Sequence, residues 1–451
     1  MSVRNMTEGR PVRLILSVAL PLMLGNIFQQ MYTVVDAQIV GSVVGVSALA
    51  AVGAADWFNW LFIGLLQGFS IGFAIPMAQA FGANDYAKLR KYTGNALVLS
   101  VLIAALFTGT ALLLIQPVLS LLNTPEAIRP TSITYLTILF AGLPIVMGYN
   151  LLAGVLRSLG DGKSPLYAMI VACFVNIGLD VLFVMGFGWG VIGAAAATVI
   201  AQLCSCGFCL MRLKSVPFMK LKRNDFRLDR ARSGRLMKLG LPLSMQNGII
   251  AVGGMIVQSV VNPLGVTFIA GYTATNKLYG VLEVAAVSYG YAMSTYSGQN
   301  LGARKVNRIR RGTFAGAVAG VITAAVIAAC MFLFGRQIVS LFIDASEANA
   351  SEAIRIAIEY LWLMSAFLPV LYILHVYRST LQGMGDTVMP MVSGLAEFVM
   401  RTGSALLLPG LIGYSGVFWA EVLAWVGADF ILVPAYWVGF NKVKKMYGEE
   451  K

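Results

Sequence analysis

Long apolar runs separated by short, mostly basic polar segments set the pattern of this chain. Twelve runs stand out, at roughly 13–40, 47–76, 93–116, 131–156, 165–187, 190–211, 236–261, 268–298, 313–335, 353–377, 388–410 and 413–440. Each is near or above the length of about 20 residues that a helix needs to cross the hydrocarbon of a bilayer. The runs are continuous rather than alternating, which predicts spanning helices and not barrel strands. The first run leads straight into a repeated motif, so a span rather than a cleaved signal is expected there.

The pattern occurs twice. Leu20-Pro21-Leu22 returns as Leu241-Pro242-Leu243, and Gln79-Ala80-Phe81-Gly82-Ala83 returns as Gln299-Asn300-Leu301-Gly302-Ala303. Lys88, Arg90 and Lys91 return as Arg308, Arg310 and Arg311, and Gly160-Asp161 with Pro165 returns as Gly385-Asp386 with Pro390. The expected fold is an all-α integral membrane protein of twelve transmembrane helices in two six-helix lobes. The N-terminal lobe is 1–213, a basic linker occupies 214–235, and the C-terminal lobe is 236–451. Six is even, so both copies share one orientation, and the pseudo-twofold axis should run along the membrane normal. Duplicated membrane proteins of this kind are typically transporters.

Composition agrees with a membrane protein: 58% of residues are hydrophobic and 12% charged, against about 25% charged in soluble domains. Lys and Arg collect at Arg4–Arg13, Lys88–Lys91, Arg157 and Lys163, Arg212–Lys238, Arg304–Arg311 and Lys442–Lys445. With twelve spans all of these lie on one side. The bias predicts that both termini and the linker face the cytoplasm of a cell (plasma or inner) membrane. The net charge of +13 is thereby used in juxtamembrane loops, and no nucleic-acid partner is expected. Cys204, Cys206 and Cys209 have no companion ligands nearby and read as packing residues, not a metal site.

Ionisable residues inside a span are costly and therefore mark candidate sites. Asp36 lies late in the first span; Asn176 and Asp180 share one face of the fifth; Thr198 is early in the sixth. The helical rise places Asp36 about 12 Å in from the outer surface, Asp180 about 24 Å from the inner one and Thr198 about 12 Å from the outer one. Two carboxylates, an amide and a hydroxyl make an all-oxygen group. Both acids ionised would concentrate negative charge in a poor dielectric, which invites H⁺ or Na⁺. A structural hydrogen-bond cluster is the competing reading. Asp56, nearer the outer end of the second span, is expected to be solvated. In the other half, Glu397 and Arg401 are one turn apart in the eleventh span and Glu421 in the twelfth lies at a similar depth, with Lys277 and Glu283 on the eighth. An arginine between two glutamates predicts an internal ion-pair cluster, with a role in coupling or recognition as the alternative. His375, near the inner end of the tenth span, is expected to be interfacial.

Several of these stretches resemble the MATE (multidrug and toxic compound extrusion) transporters. They are Gln29-Gln30-Met31-Tyr32 leading to Val35-Asp36, Val40-Gly41, Ala48-Leu49-Ala50-Ala51-Val52-Gly53, Gln299–Ala303, and Leu381-Gln382-Gly383-Met384-Gly385-Asp386. The resemblance extends over the whole chain. It implies a two-lobed antiporter with a central cavity that exchanges organic, often cationic or amphiphilic compounds for inward H⁺ or Na⁺. In prokaryotic members with an N-lobe cation site, the site residues match Asp36, Asn176, Asp180 and Thr198 here. Pro21 matches the proline at which the first helix bends, and Gln29 and Asn150 fall where polar cavity residues are common. Some members use an acid on the seventh helix instead; this chain has none there. Glu397, Arg401 and Glu421 resemble a variant in part of the bacterial branch.

The function expected is secondary antiport by rocking-type alternating access, with small organic molecules and the bilayer as partners, a monomer as the working unit and no cofactor beyond the coupling ion. A flippase for a lipid-linked precursor is the alternative, though such relatives usually carry about fourteen helices. An intramembrane enzyme is the distant alternative; it would need a nucleophile and base, or metal ligands, at one depth, and the chain has a single histidine and no HExxH.

Overall fold

The computed structural model describes residues 3–122, 124–340 and 349–447, and these are almost wholly helical. The helices are α1 (Pro11–Ile39), α2 (Val46–Gly82), α3 (Tyr86–Leu121), α4 (Arg129–Ala141), α5 (Leu143–Ser158), α6 (Lys163–Asp180), α7 (Gly190–Lys214), α8 (Arg230–Val261), α9 (Val266–Gly302), α10 (Val306–Val339), α11 (Ala350–Met384), α12 (Val388–Leu407), α13 (Pro409–Ile412) and α14 (Ser415–Tyr447). Ten stretches of helix are long and apolar enough to cross a membrane among the described residues, and α4 with α5, bent by 44°, makes an eleventh. The bend follows from the sequence: Gly142 and Pro144 fall where the expected fourth span is interrupted. The twelfth span is α9. At 37 residues it has ample length, and Thr273, Thr275, Asn276, Lys277 and Glu283 interrupt its apolar run.

The duplication is visible in backbone detail. Left-handed Gly45 opens into α2 and left-handed Gly265 into α9, at φ of 114° and 96°. Asn84 and Arg304, at φ of 57° and 60°, follow the ends of those two helices. Gly160 pairs in the same way with Gly385, and Gly188 with Gly413. A residue with a Cβ adopts this conformation only at a cost, so the recurrence of glycine at three of the four pairs is a conformational requirement of the repeat.

The chain divides into two compact units. One comprises Met1–Met6 with Leu20–Gly248, the other Thr7–Ala19 with Ile249–Lys451. The divisions fall inside α1, next to Pro21, and inside α8, a few residues beyond Pro242. Within the first unit, a large apolar core joins α2 through Phe58, Phe62, Leu66 and Phe73 to Phe140 and Leu152. Within the second, α9 and α11 run side by side in the same direction. Gly271 abuts Ala353, and Gly383 abuts Ser294, so closely that an added Cβ would stand 2.5 and 2.4 Å from the neighbouring carbonyl oxygens.

Candidate functional site

Three helices of the first unit assemble the site. Gly25 of α1 meets Leu166 and Met169 of α6. These helices run in the same direction, so Asp36, three turns beyond Gly25, comes level with the Asn176–Asp180 segment. On the other side, Gln202 Nε2 of α7 donates to Tyr32 Oη of α1 at 3.3 Å. That pair runs antiparallel, and one turn further Thr198 comes level with Asp36. The charges of Asp36 and Asp180 act on each other, and Tyr135 of α4 feels both. The four residues expected from sequence therefore lie at one level of the first unit, with Tyr32, Gln202 and Tyr135 around them.

Burial at the site is severe. Asn176 and Asp180 are fully buried, and Asp36 and Thr198 half-buried. Asp36 Oδ1, Asn176 Oδ1 and Nδ2, both carboxylate oxygens of Asp180 and Gln202 Oε1 have no hydrogen-bond partner within the protein. A satisfied structural cluster would not look like this, because a buried polar group without a partner is destabilising. The oxygen set suits H⁺ or a hard monovalent cation, and its orphaned acceptors are what such an ion would neutralise.

The backbone at the site is also unusual. Asp180 is the last α-helical residue before a π-helical turn, Val181–Gly186, and α1 likewise passes into a π-helical turn, Val40–Val44, shortly after Asp36. The two turns pack against each other and against α7. Gly193 of α7 approaches so closely that an added Cβ would stand 2.9 Å from that of Phe183. Widened turns of this kind occur chiefly at functional sites. Pro21 lies inside α1, which continues as helix across it. Gln29 and Asn150 are half-buried; Gln29 bonds to Tyr32, and Asn150 bonds back to Val146 O at 2.9 Å. Asp56 is exposed.

The polar residues of the second unit pair differently from expectation. Arg401 holds Glu421 through Nη2 to Oε2 at 2.8 Å, whereas Glu397 is taken by Arg378 of α11, which also reaches Ser393 Oγ at 3.2 Å. Two arginines thus replace the single one expected between two glutamates. Glu283 bonds to Tyr279 and senses Arg401 and Glu421, and Asp429 of α14 senses Arg378. Lys277 is exposed. His375 is not at a helix end: it lies nine residues inside α11, its Nδ1 3.7 Å from where a Gly290 Cβ would be. Arg378 was missed because the apolar run ends at 377 while the helix continues to Met384. Asp429 was missed although the rule that flags Asp36 flags it too.

The MatE family model matches residues 21–182 and again 242–406, one match for each half of the repeat. The chain belongs to the MATE family. Among curated MATE relatives, the probable multidrug resistance protein YpnP of Bacillus subtilis (strain 168) is 27% identical over the full length of both chains. YoeA, another probable multidrug resistance protein of that strain, is 30% identical over 72% of each chain. A solved MATE structure described as a multidrug resistance transporter in an outward-facing conformation superposes with a TM-score of 0.91 at 23% identity, covering 98% of this chain and 99% of the other. This is therefore a multi-pass membrane transporter of the compound-exporting MATE class.

Proposed function

We propose that this MATE protein is a secondary antiporter that exports organic cationic or amphiphilic compounds in exchange for H⁺ or Na⁺, loaded at Asp36, Asn176, Asp180 and Thr198. The observation that carries the reading is the placement of two carboxylates, with buried oxygens lacking protein partners, at one level of the first unit. An ion entering from outside neutralises this charge. The loaded site then favours a different conformation of α1, whose bending is eased by the backbone hydrogen bond missing at Pro21. Coupling requires that the ion bind the two conformations with different affinity, since equal affinity shifts nothing. Rocking of the two lobes would deliver the compound outward and the ion inward.

In this reading Gln29 and Asn150 face the exported compound. The Arg401–Glu421 and Arg378–Glu397 pairs hold the second unit together, because two charges buried and paired in this way are costly to separate. The working form is a monomer in the cell membrane, with both termini and the basic linker in the cytoplasm, the arrangement favoured by the Lys and Arg bias. The test is substrate uptake into proteoliposomes with Na⁺ and pH gradients imposed separately. One of the two gradients should drive accumulation. Transport indifferent to both would contradict antiport and favour a passive route.

A further inference from the structure

The segment joining α7 to α8 is built as a rigid platform. Phe218 stacks on Tyr86 with ring centroids 4.6 Å apart. Arg90 of α3 donates from Nη1 to Phe218 O at 3.1 Å and lies 3.9 Å from the buried Asp225 carboxylate. That carboxylate also accepts from the Lys222 backbone N–H at 2.7 Å. Asn95, fully buried, donates to Asp225 O at 3.3 Å and Arg227 O at 3.1 Å; its Oδ1 accepts from Asp229 N at 3.0 Å and Ser233 Oγ at 3.2 Å. Gly94 allows the approach, since a Cβ there would stand 2.2 Å from Asp225 O.

The fastening point has a defined depth. The opening of α3, residues 86–92, is polar and basic, and its apolar run begins near residue 93. A backbone fixed to Gly94 and Asn95 therefore sits at the boundary between the two, the level of lipid headgroups. The charge balance is one-sided. From Arg212 to Lys238 there are ten Lys or Arg and two Asp. Both acids are engaged locally: Asp225 with Arg90, and Asp229 with the Arg232 backbone N–H at 2.9 Å. Lys222, Arg223, Arg227 and Arg230 are left exposed, and among them Phe226 and Leu228 are 40% and 48% exposed. Exposed apolar side chains interleaved with cations at headgroup depth suit a lipid interface.

We propose that residues 222–230 form a docking surface for the anionic phospholipid headgroups of the leaflet they face. Basic residues at the membrane surface attract anionic lipid additively. Because the clamp has already ordered the segment, little conformational entropy is lost on binding.

The experiment uses full-length protein in neutral detergent, with phosphatidylglycerol titrated and both lipid retention and the thermal unfolding midpoint recorded. Combined Lys222→Gln, Arg223→Gln, Arg227→Gln and Arg230→Gln should weaken phosphatidylglycerol binding by about tenfold or more. A charge-preserving variant (Arg223→Lys, Arg227→Lys, Arg230→Lys) should bind as the native chain does. So should a control with Lys442→Gln, Lys444→Gln and Lys445→Gln. Equal binding by the neutralised variant, equal loss in the charge-preserving or C-terminal variant, or reproduction of the effect by phosphatidylcholine or inorganic phosphate would each overturn the proposal.

Discussion

Gln202 donates to Tyr32 at 3.3 Å, and this bond between α7 and α1 fixes the antiparallel register that brings Thr198 level with Asp36. Neither partner binds the ion in the account given above; together they set the alignment of groups that do. Gln202→Leu should therefore weaken the dependence of transport on its driving ion without abolishing it. One net hydrogen bond contributes about 0.5–1.5 kcal/mol, so the ion concentration for half-maximal transport should rise about 2- to 12-fold. An ion titration of uptake at constant substrate reads this directly.

Gly193 tests the packing behind the site. A side chain there collides with Phe183 in the π-helical turn that follows Asp180. Gly193→Val should displace that turn and depress ion-coupled transport strongly. Gly207→Ala on the same helix meets nothing within 4 Å and should leave transport unchanged. Comparing the two in proteoliposomes separates local packing from a general intolerance of α7 to substitution.

Much of this candidate site is legible in the sequence. Asp36, Asn176 and Asp180 stand out because polar groups in an apolar run are costly, and helical spacing alone sets their depth. The fold was legible for a related reason: the apolar runs are long, and the repeat supplies a second reading of each. What stayed hidden has no such signature. The residues Val40–Val44 and Val181–Gly186 look like ordinary continuations of apolar spans, yet both turns widen to π geometry. Tyr32 and Gln202 matter through a contact between helices far apart in sequence. Arg378 lies beyond the apolar run but still within the helix, held there by Glu397. That partner choice is set by tertiary packing, and no spacing rule would have preferred it over Arg401.

The Arg378–Glu397 pair yields a stability prediction. Both side chains are less than a tenth exposed. Arg378→Ala leaves Glu397 buried without its counter-charge and should destabilise the protein by about 3–5 kcal/mol. Combined Arg378→Met and Glu397→Leu should recover much of that loss. The exposed pairing of Arg355 with Glu352 and Glu359 is the contrast, and Arg355→Ala should leave the unfolding midpoint nearly unmoved. Thermal unfolding of the purified variants in one detergent measures all three.

Pro21 should affect speed rather than ion affinity. Pro21→Ala supplies the backbone N–H that proline lacks and stiffens α1 at that point. Turnover should fall while the ion concentration for half-maximal transport stays the same. A parallel shift in ion affinity would place the effect of Pro21 at the ion site instead.

The central claim is that the N-terminal carboxylates carry the coupling ion. The most direct measurement is gradient-driven substrate accumulation in proteoliposomes by Asp36→Asn and Asp180→Asn, beside the native chain at matched incorporation. The Asn variants nearly keep side-chain volume but remove the charge the ion must neutralise. Accumulation should fall to the level of liposomes without a gradient in both variants. Full retention of gradient-driven accumulation by either one would contradict the assignment.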